Sequence, residues 1–88
     1  MKWSSRNRAV YTTLLAQTIE RGRPPTRQEI VDGVALALPL AQWPSTGEVG
    51  RILRRMAAVG LVEEVTPGDF VLVRTREGAR VTYLVDVA

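Results

Sequence analysis

Two segments of this chain constrain its fold more than any others: Arg23–Ile30 and Ser45–Val65. The first contains Thr26 and Glu29, three residues apart, which form a Thr-x-x-Glu capping box and predict the start of a helix. The second is an amphipathic stretch that stops at Gly60 and continues directly into a strand. Two helices followed by such a strand predict an α+β fold of the winged helix-turn-helix type.

Apolar periodicity and turn residues place the remaining elements. Val10, Leu14 and Thr18 recur every four residues and mark the buried face of a first helix, which Gly22 ends. Helices are expected over about residues 5–21, 27–38 and 46–59, and strands over about 61–65, 70–75 and 80–87. Residues 1–88 are therefore predicted to form one domain, in which three helices precede a two- to three-stranded antiparallel sheet, the wing.

The composition argues against catalysis. The chain has neither cysteine nor histidine, which removes thiolate metal sites, disulfides and the commonest general base. We therefore expect no enzyme activity, no metal and no cofactor. Because no apolar run approaches the roughly 20 residues that span a bilayer and no signal peptide is visible, we expect a cytoplasmic protein without a membrane partner.

Charge is distributed unevenly along the chain. Residues 1–60 carry nine basic residues against four acids, whereas residues 61–88 carry three against five. A polyanion would therefore meet the helical part first. The net charge of +3 alone is equally compatible with ordinary solubility charge.

In a helix-turn-helix, the second helix of the pair enters the major groove and presents its N-terminal residues to base edges. Arg51 can make the bidentate contact to guanine, and Glu48 can accept from a cytosine amino group or hold Arg51 across one helical turn. The expected base-contacting residues are Ser45, Thr46, Gly47, Glu48, Gly50 and Arg51.

A second group of residues is expected to contact phosphates. Arg54 and Arg55 follow Arg51 by one turn, and Thr26 and Arg27 lie at the start of the second helix, where backbone amides favour anions. The alternative for every arginine of the third helix is an ordinary solvated face.

Arg23–Ile30 resembles the Pro-Pro-Thr-Arg-x-Glu-Ile stretch of the N-terminal winged-helix domain of LexA repressors, and Ser45–Val65 is similar to that domain's recognition helix and first wing strand. The resemblance covers roughly residues 6–73. It implies a sequence-specific double-stranded DNA-binding protein, a small transcriptional regulator or repressor of prokaryotic or phage origin. By position, the resemblance places base reading on Ser45, Gly47, Glu48, Gly50 and Arg51.

The connection over residues 39–44, Pro-Leu-Ala-Gln-Trp-Pro, is longer and more apolar than a minimal helix-turn-helix turn. We expect Trp43 to fold back onto the core, the alternative being an exposed aromatic that meets a partner. This connection and the acidic turn over residues 66–69 also support a different function, a winged-helix module that binds proteins and has no DNA specificity of its own. RNA binding is a weaker possibility, because exposed aromatic pairs for base stacking are lacking.

The C-terminal strand suggests a homodimer. Val81, Tyr83, Val85 and Val87 line one face of the predicted strand, and an apolar edge strand can pair with a second copy. The alternative is that this strand closes the domain's own sheet. A regulator of this size is expected to be a dimer, because one recognition helix reads too few base pairs for genomic specificity.

Overall fold

The structure, a computed structural model, describes residues 3–77 and 80–83, with side chains described over residues 3–73. Three helices are followed by antiparallel strands, which confirms the α+β class. The helices are α1 (Ser5–Arg21), α2 (Arg27–Ala37) and α3 (Thr46–Ala58), with a short 3-10 helix at Leu40–Gln42 between the last two. The strands are β1 (Val62–Thr66), β2 (Asp69–Leu72), β3 (Arg74–Glu77) and β4 (Arg80–Tyr83).

Each helix begins where a side chain satisfies its free amides. Ser4 caps α1, whose last turn closes at Gly22 in the left-handed conformation, with a φ of 68°. The expected capping box of α2 is present: Thr26 Oγ1 accepts from the Glu29 amide at 3.2 Å, and Glu29 Oε1 accepts from the Thr26 amide at 2.9 Å. The beginnings of these helices are thus determined locally.

One apolar core joins the three helices to the β1–β2 hairpin. Leu14 of α1, Val34 of α2 and Leu53 of α3 are fully buried, and Phe70 of β2 belongs to the same buried cluster. The full cluster is Ala9, Val10, Tyr11, Leu14, Ile30, Val34, Val49, Ile52, Leu53, Met56, Leu61, Val62, Phe70 and Leu72. Burial of these side chains fixes which face of α3 is left outside.

The single strand expected over residues 70–75 is divided in the structure. β1 pairs with β2, with Val62 opposite Leu72, while β3 pairs with β4 in a separate two-stranded sheet. The Val73 amide still donates to the Leu61 carbonyl at 3.2 Å, but upstream of Leu61 the chain is already ending α3. Residues beyond Val73 therefore have no β1 residue left to pair with, and they pair with β4.

The C-terminal strand therefore does not close the first sheet over its described residues, as residues 80–83 pair with β3 alone. Val85 and Val87, part of the expected dimer surface, lie outside the described residues.

Two side-chain hydrogen bonds attach the 39–44 connection to the helices before it. Arg6 Nε donates to the Gln42 carbonyl at 2.9 Å, and Trp43 Nε1 donates to the Leu38 carbonyl at 2.8 Å. Trp43 itself is 47% exposed and does not belong to the core, so the expectation that it folds back onto the core is wrong. The indole bonds to the end of α2 instead, which leaves much of its ring in solvent.

Helix α2 crosses α1 closely at Gly33. A Cβ atom on Gly33 would lie 2.5 Å from Thr13 Cγ2 and 2.8 Å from Gln17 Nε2, too close for either neighbour to stay in place. Thr13 is buried, and Gln17 Nε2 donates to the Glu29 carbonyl at 3.2 Å. The absence of a side chain at Gly33 therefore sets the α1–α2 distance.

Gly33→Ala is expected to lower the free energy of unfolding. Overpacking costs about 1–3 kcal/mol and the better helix propensity of alanine offsets about 1, leaving a net loss of up to about 2 kcal/mol. Urea denaturation measures the loss, and adding Thr13→Ser, which removes the clashing methyl group, should recover part of it. A gain in stability for Gly33→Ala alone would show that the helices are not in contact there.

Candidate nucleic-acid interface

Helix α3 has two faces of opposite character. Val49, Ile52, Leu53 and Met56 are buried against the core. The other face is exposed and contains Ser45, Thr46, Gly47, Arg51, Arg54, Arg55 and Ala58. Most of the side chains expected at base edges or phosphates are therefore in solvent, together on one side of one helix.

The arginines of this face are without a partner among the residues whose side chains the structure describes. Within residues 3–73, Arg51, Arg54 and Arg55 form no hydrogen bond or ion pair, whereas Arg21 and Arg23 both pair with Glu29. An arginine carries five N–H donors and stays charged at all relevant pH values. Three unpaired guanidinium groups on consecutive turns thus form a positive surface whose hydrogen-bonding capacity is unused.

Glu48 lies at the N-terminal end of the same helix, but its carboxylate is occupied. Oε1 accepts from the Ser45 amide at 3.4 Å, completing a capping box with Ser45 Oγ, and Oε2 accepts from Arg6 Nη1 at 3.2 Å. The pairing expected between Glu48 and Arg51 is not formed, because Arg6 of α1 holds the carboxylate instead. Glu48 therefore caps α3 and attaches it to α1.

Arg6 has a structural role that the sequence did not indicate. It is the residue through which α1 reaches both the 39–44 connection and the capping box of α3. Its partners lie 36 and 42 positions away, so no local pattern could have identified it.

Arg27, expected to contact phosphate, instead lies between two glycines. Its Nη2 donates to the carbonyl of Gly68, in the β1–β2 turn, at 3.4 Å, and a Cβ on Gly68 would collide with that same nitrogen. On the other side, a Cβ on Gly50 would lie 3.9 Å from Arg27 Cζ and 3.4 Å from Arg54 Nη2. Of the two glycines expected at base edges, Gly50 is therefore buried and Gly47 is exposed.

The turn of the β1–β2 hairpin is acidic and held internally. Glu63, Glu64 and Asp69 are exposed, and Glu64 Oε2 accepts from the Gly68 amide at 2.9 Å. Burial raises the pKa of the Tyr11 hydroxyl, but that side chain lies in the core, away from this face. The exposed acids of this turn therefore distinguish it from the arginine-bearing face of α3.

A second surface is apolar. Leu36 is 92% exposed, Leu40 is 73% exposed, and Trp43 stands beside them in sequence. No charged residue occurs between Gly33 and Gly47. This apolar surface is defined by Leu36, Leu40 and Trp43, and the buried Pro44 separates it in sequence from the start of α3.

Ser45→Ala is expected to destabilise the protein by about 0.5–2 kcal/mol, because the hydroxyl that accepts from the Glu48 amide is lost. Thermal denaturation measures the change, with Thr46→Ala as a matched control, since Thr46 lies next to the cap on the exposed side. Equal effects of the two substitutions would show that Ser45 does not cap α3.

Comparisons of the chain with protein families, curated proteins and solved structures find no match. No group of three or more acidic residues that could hold a metal ion occurs in the described part of the chain. Among the same residues, no helix is long and apolar enough to cross a membrane.

Proposed function

We propose that this protein is a winged helix-turn-helix protein that binds double-stranded DNA sequence-specifically, and that it acts as a small transcriptional regulator, without catalysis. The observation that carries the proposal is the exposed face of α3, whose three arginines have no partner within residues 3–73, on a helix that begins at its own capping box. A helix of this width fits the major groove of B-DNA.

In this proposal, the start of α3 meets base edges. Ser45, Thr46, Gly47 and Arg51 are the exposed residues of the first turns, and Arg51 is the side chain suited to guanine. Arg54 and Arg55 lie further along the helix and are assigned to phosphates, where they add affinity and salt dependence without sequence choice. Glu48 and Gly50 act as positioning residues, one through the cap and Arg6, the other by admitting Arg27.

The α2 N-terminus is assigned a reduced part in binding. Thr26 is exposed at a helix start and remains available to a phosphate, whereas Arg27 is occupied with the hairpin turn. Since the turn itself carries acids, we propose that the hairpin adds little affinity and that Arg27 fixes its position beside α3.

Equilibrium binding of a labelled random-sequence duplex, measured by fluorescence anisotropy over a range of salt concentrations, tests the proposal. The logarithm of the association constant should fall linearly with the logarithm of salt concentration, by about 0.9 for each phosphate neutralised. Selection from a random duplex library then tests specificity, and a palindromic site would show that the protein binds as a homodimer. Binding that is weak and independent of salt would contradict the proposal.

The apolar surface supports a second candidate function, a module that binds another protein. Leu36 and Leu40 are far more exposed than apolar side chains on a helix normally are, and they have no charged neighbours in sequence. The two functions are separated by Arg51→Ala and Arg55→Ala. If both variants are retained on DNA as well as the parent protein at low salt, the protein-binding function is favoured.

A further inference from the structure

A concave cleft lies between the start of α1 and the exposed face of α3. Its volume is about 370 Å³, and its lining residues come from both helices. They are Ser4, Arg6, Asn7, Glu48, Arg51, Ile52 and Arg55. Three of the seven are arginines, so the cleft concentrates cationic side chains that lie far apart in sequence.

The arginines that line the cleft have N–H donors without a hydrogen-bond partner among residues 3–73. Arg51 and Arg55 make no hydrogen bond within residues 3–73, and Arg6 uses its Nε and Nη1 but leaves Nη2 without a partner there. Glu48 is the one acid in the lining, and Arg6 already pairs with it. Three cations against one carboxylate leave a formal charge of +2 around the cleft.

We propose that this cleft binds one phosphate group through Arg6, Arg51 and Arg55. Planar guanidinium forks match the oxygens of a phosphate, and several of them converging from two helices can surround it on more than one side. The group is either a phosphate of the DNA backbone, which rests on the proposed function, or a phosphate carried by a smaller ligand. In the first case, Arg6 extends the DNA contact from α3 onto α1, and Arg51 divides its five N–H donors between this phosphate and guanine.

Binding of inorganic phosphate to the intact protein tests the cleft without DNA. The NMR signals of the arginine Nε–Hε groups are followed during a phosphate titration, with sodium chloride of equal ionic strength as the reference. Saturable shifts are expected at Arg6, Arg51 and Arg55, and they should be lost in Arg55→Gln. Arg55 is exposed and has no partner in the part of the chain whose side chains are described, so this substitution should leave the fold intact.

Arg8→Gln is the matched control, because it removes the same charge from α1 two residues from Arg6. Arg8 lies over the Trp3 ring at 5.8 Å and lines a different groove. The shifts should persist in this variant. Shifts that equal those in chloride, or that spread evenly over all arginines, would overturn the proposal.

Measurements of DNA binding distinguish a phosphate of the DNA backbone from a phosphate of a smaller ligand. If the cleft holds a backbone phosphate, Arg6→Gln should reduce the slope of the salt dependence by about 1 and weaken all sequences alike. If the slope is unchanged while the phosphate shifts persist, the cleft serves a smaller phosphate-bearing ligand. If no DNA binds at all, the proposed function fails, and the phosphate titration alone decides whether the cleft is an anion site.

Discussion

Leu14→Ala is expected to lower the free energy of unfolding by about 2–5 kcal/mol. Leu14 has no exposed surface and lies in the cluster where α1 meets the other helices and the hairpin. Truncation loses the transfer free energy of the removed atoms and leaves a cavity that the rigid neighbours fill only partly. Because a domain of this size is stable by about 5–15 kcal/mol, the variant should unfold at a markedly lower urea concentration.

Leu36→Ala is the control for this measurement. It makes the same change in side chain at a residue that is 92% exposed, so its effect should stay within about 0.5 kcal/mol. If the two variants unfold at the same urea concentration, the buried face of α1 is not the one described. The assignment of the exposed face of α3, which depends on the same core, would then fail as well.

Arg51→Ala is expected to have the largest effect on DNA binding of any single arginine substitution. Arg51 is the arginine nearest the start of α3 and also lines the cleft with α1. Loss of a guanine contact costs about 1–3 kcal/mol, a decrease in affinity of about 5- to 160-fold, and relaxes the preference at one base pair. Anisotropy titrations with the selected duplex and with a version altered at single positions measure both changes.

Two further variants make this result interpretable. Arg55→Ala should weaken binding to all sequences by a similar factor, because a phosphate contact carries no sequence information. Arg23→Ala removes the same charge from a side chain that already pairs with Glu29, so it should change affinity much less. If Arg51→Ala and Arg23→Ala weaken binding equally, the effect is one of net charge and α3 does not read the DNA.

The sequence was sufficient for the features that local interactions decide. Thr26 and Glu29 lie three residues apart and satisfy each other's amides, so their spacing alone places the start of α2. The apolar period of α3 likewise determines that Arg51, Arg54 and Arg55 share the face opposite Leu53. Both features depend only on residues within a few turns of one another.

What the sequence could not supply are contacts between distant residues. Arg6 is 42 positions from Glu48, and Arg27 is 41 positions from Gly68, so nothing in the local pattern pairs them. The division of the expected strand after Leu72 has the same origin. It follows from where α3 ends relative to β1, which is a property of the assembled hairpin and not of the strand's own residues.

The assignment of Glu48 shows how such contacts change an interpretation. From sequence it is an acid on the groove-facing helix, suited to cytosine or to holding Arg51. In the structure both carboxylate oxygens are bound, one by the cap and one by Arg6. Its replacement should therefore act first on the stability of α3 and on the position of α1.

Mapping of backbone amide chemical shifts during titration with the selected duplex shows whether DNA binds along the exposed face of α3. We predict that the largest changes occur from Ser45 to Arg55, with further changes at the start of α1 around Arg6. Changes confined to Leu36, Leu40 and Trp43, with those α3 amides unaffected, would contradict the account.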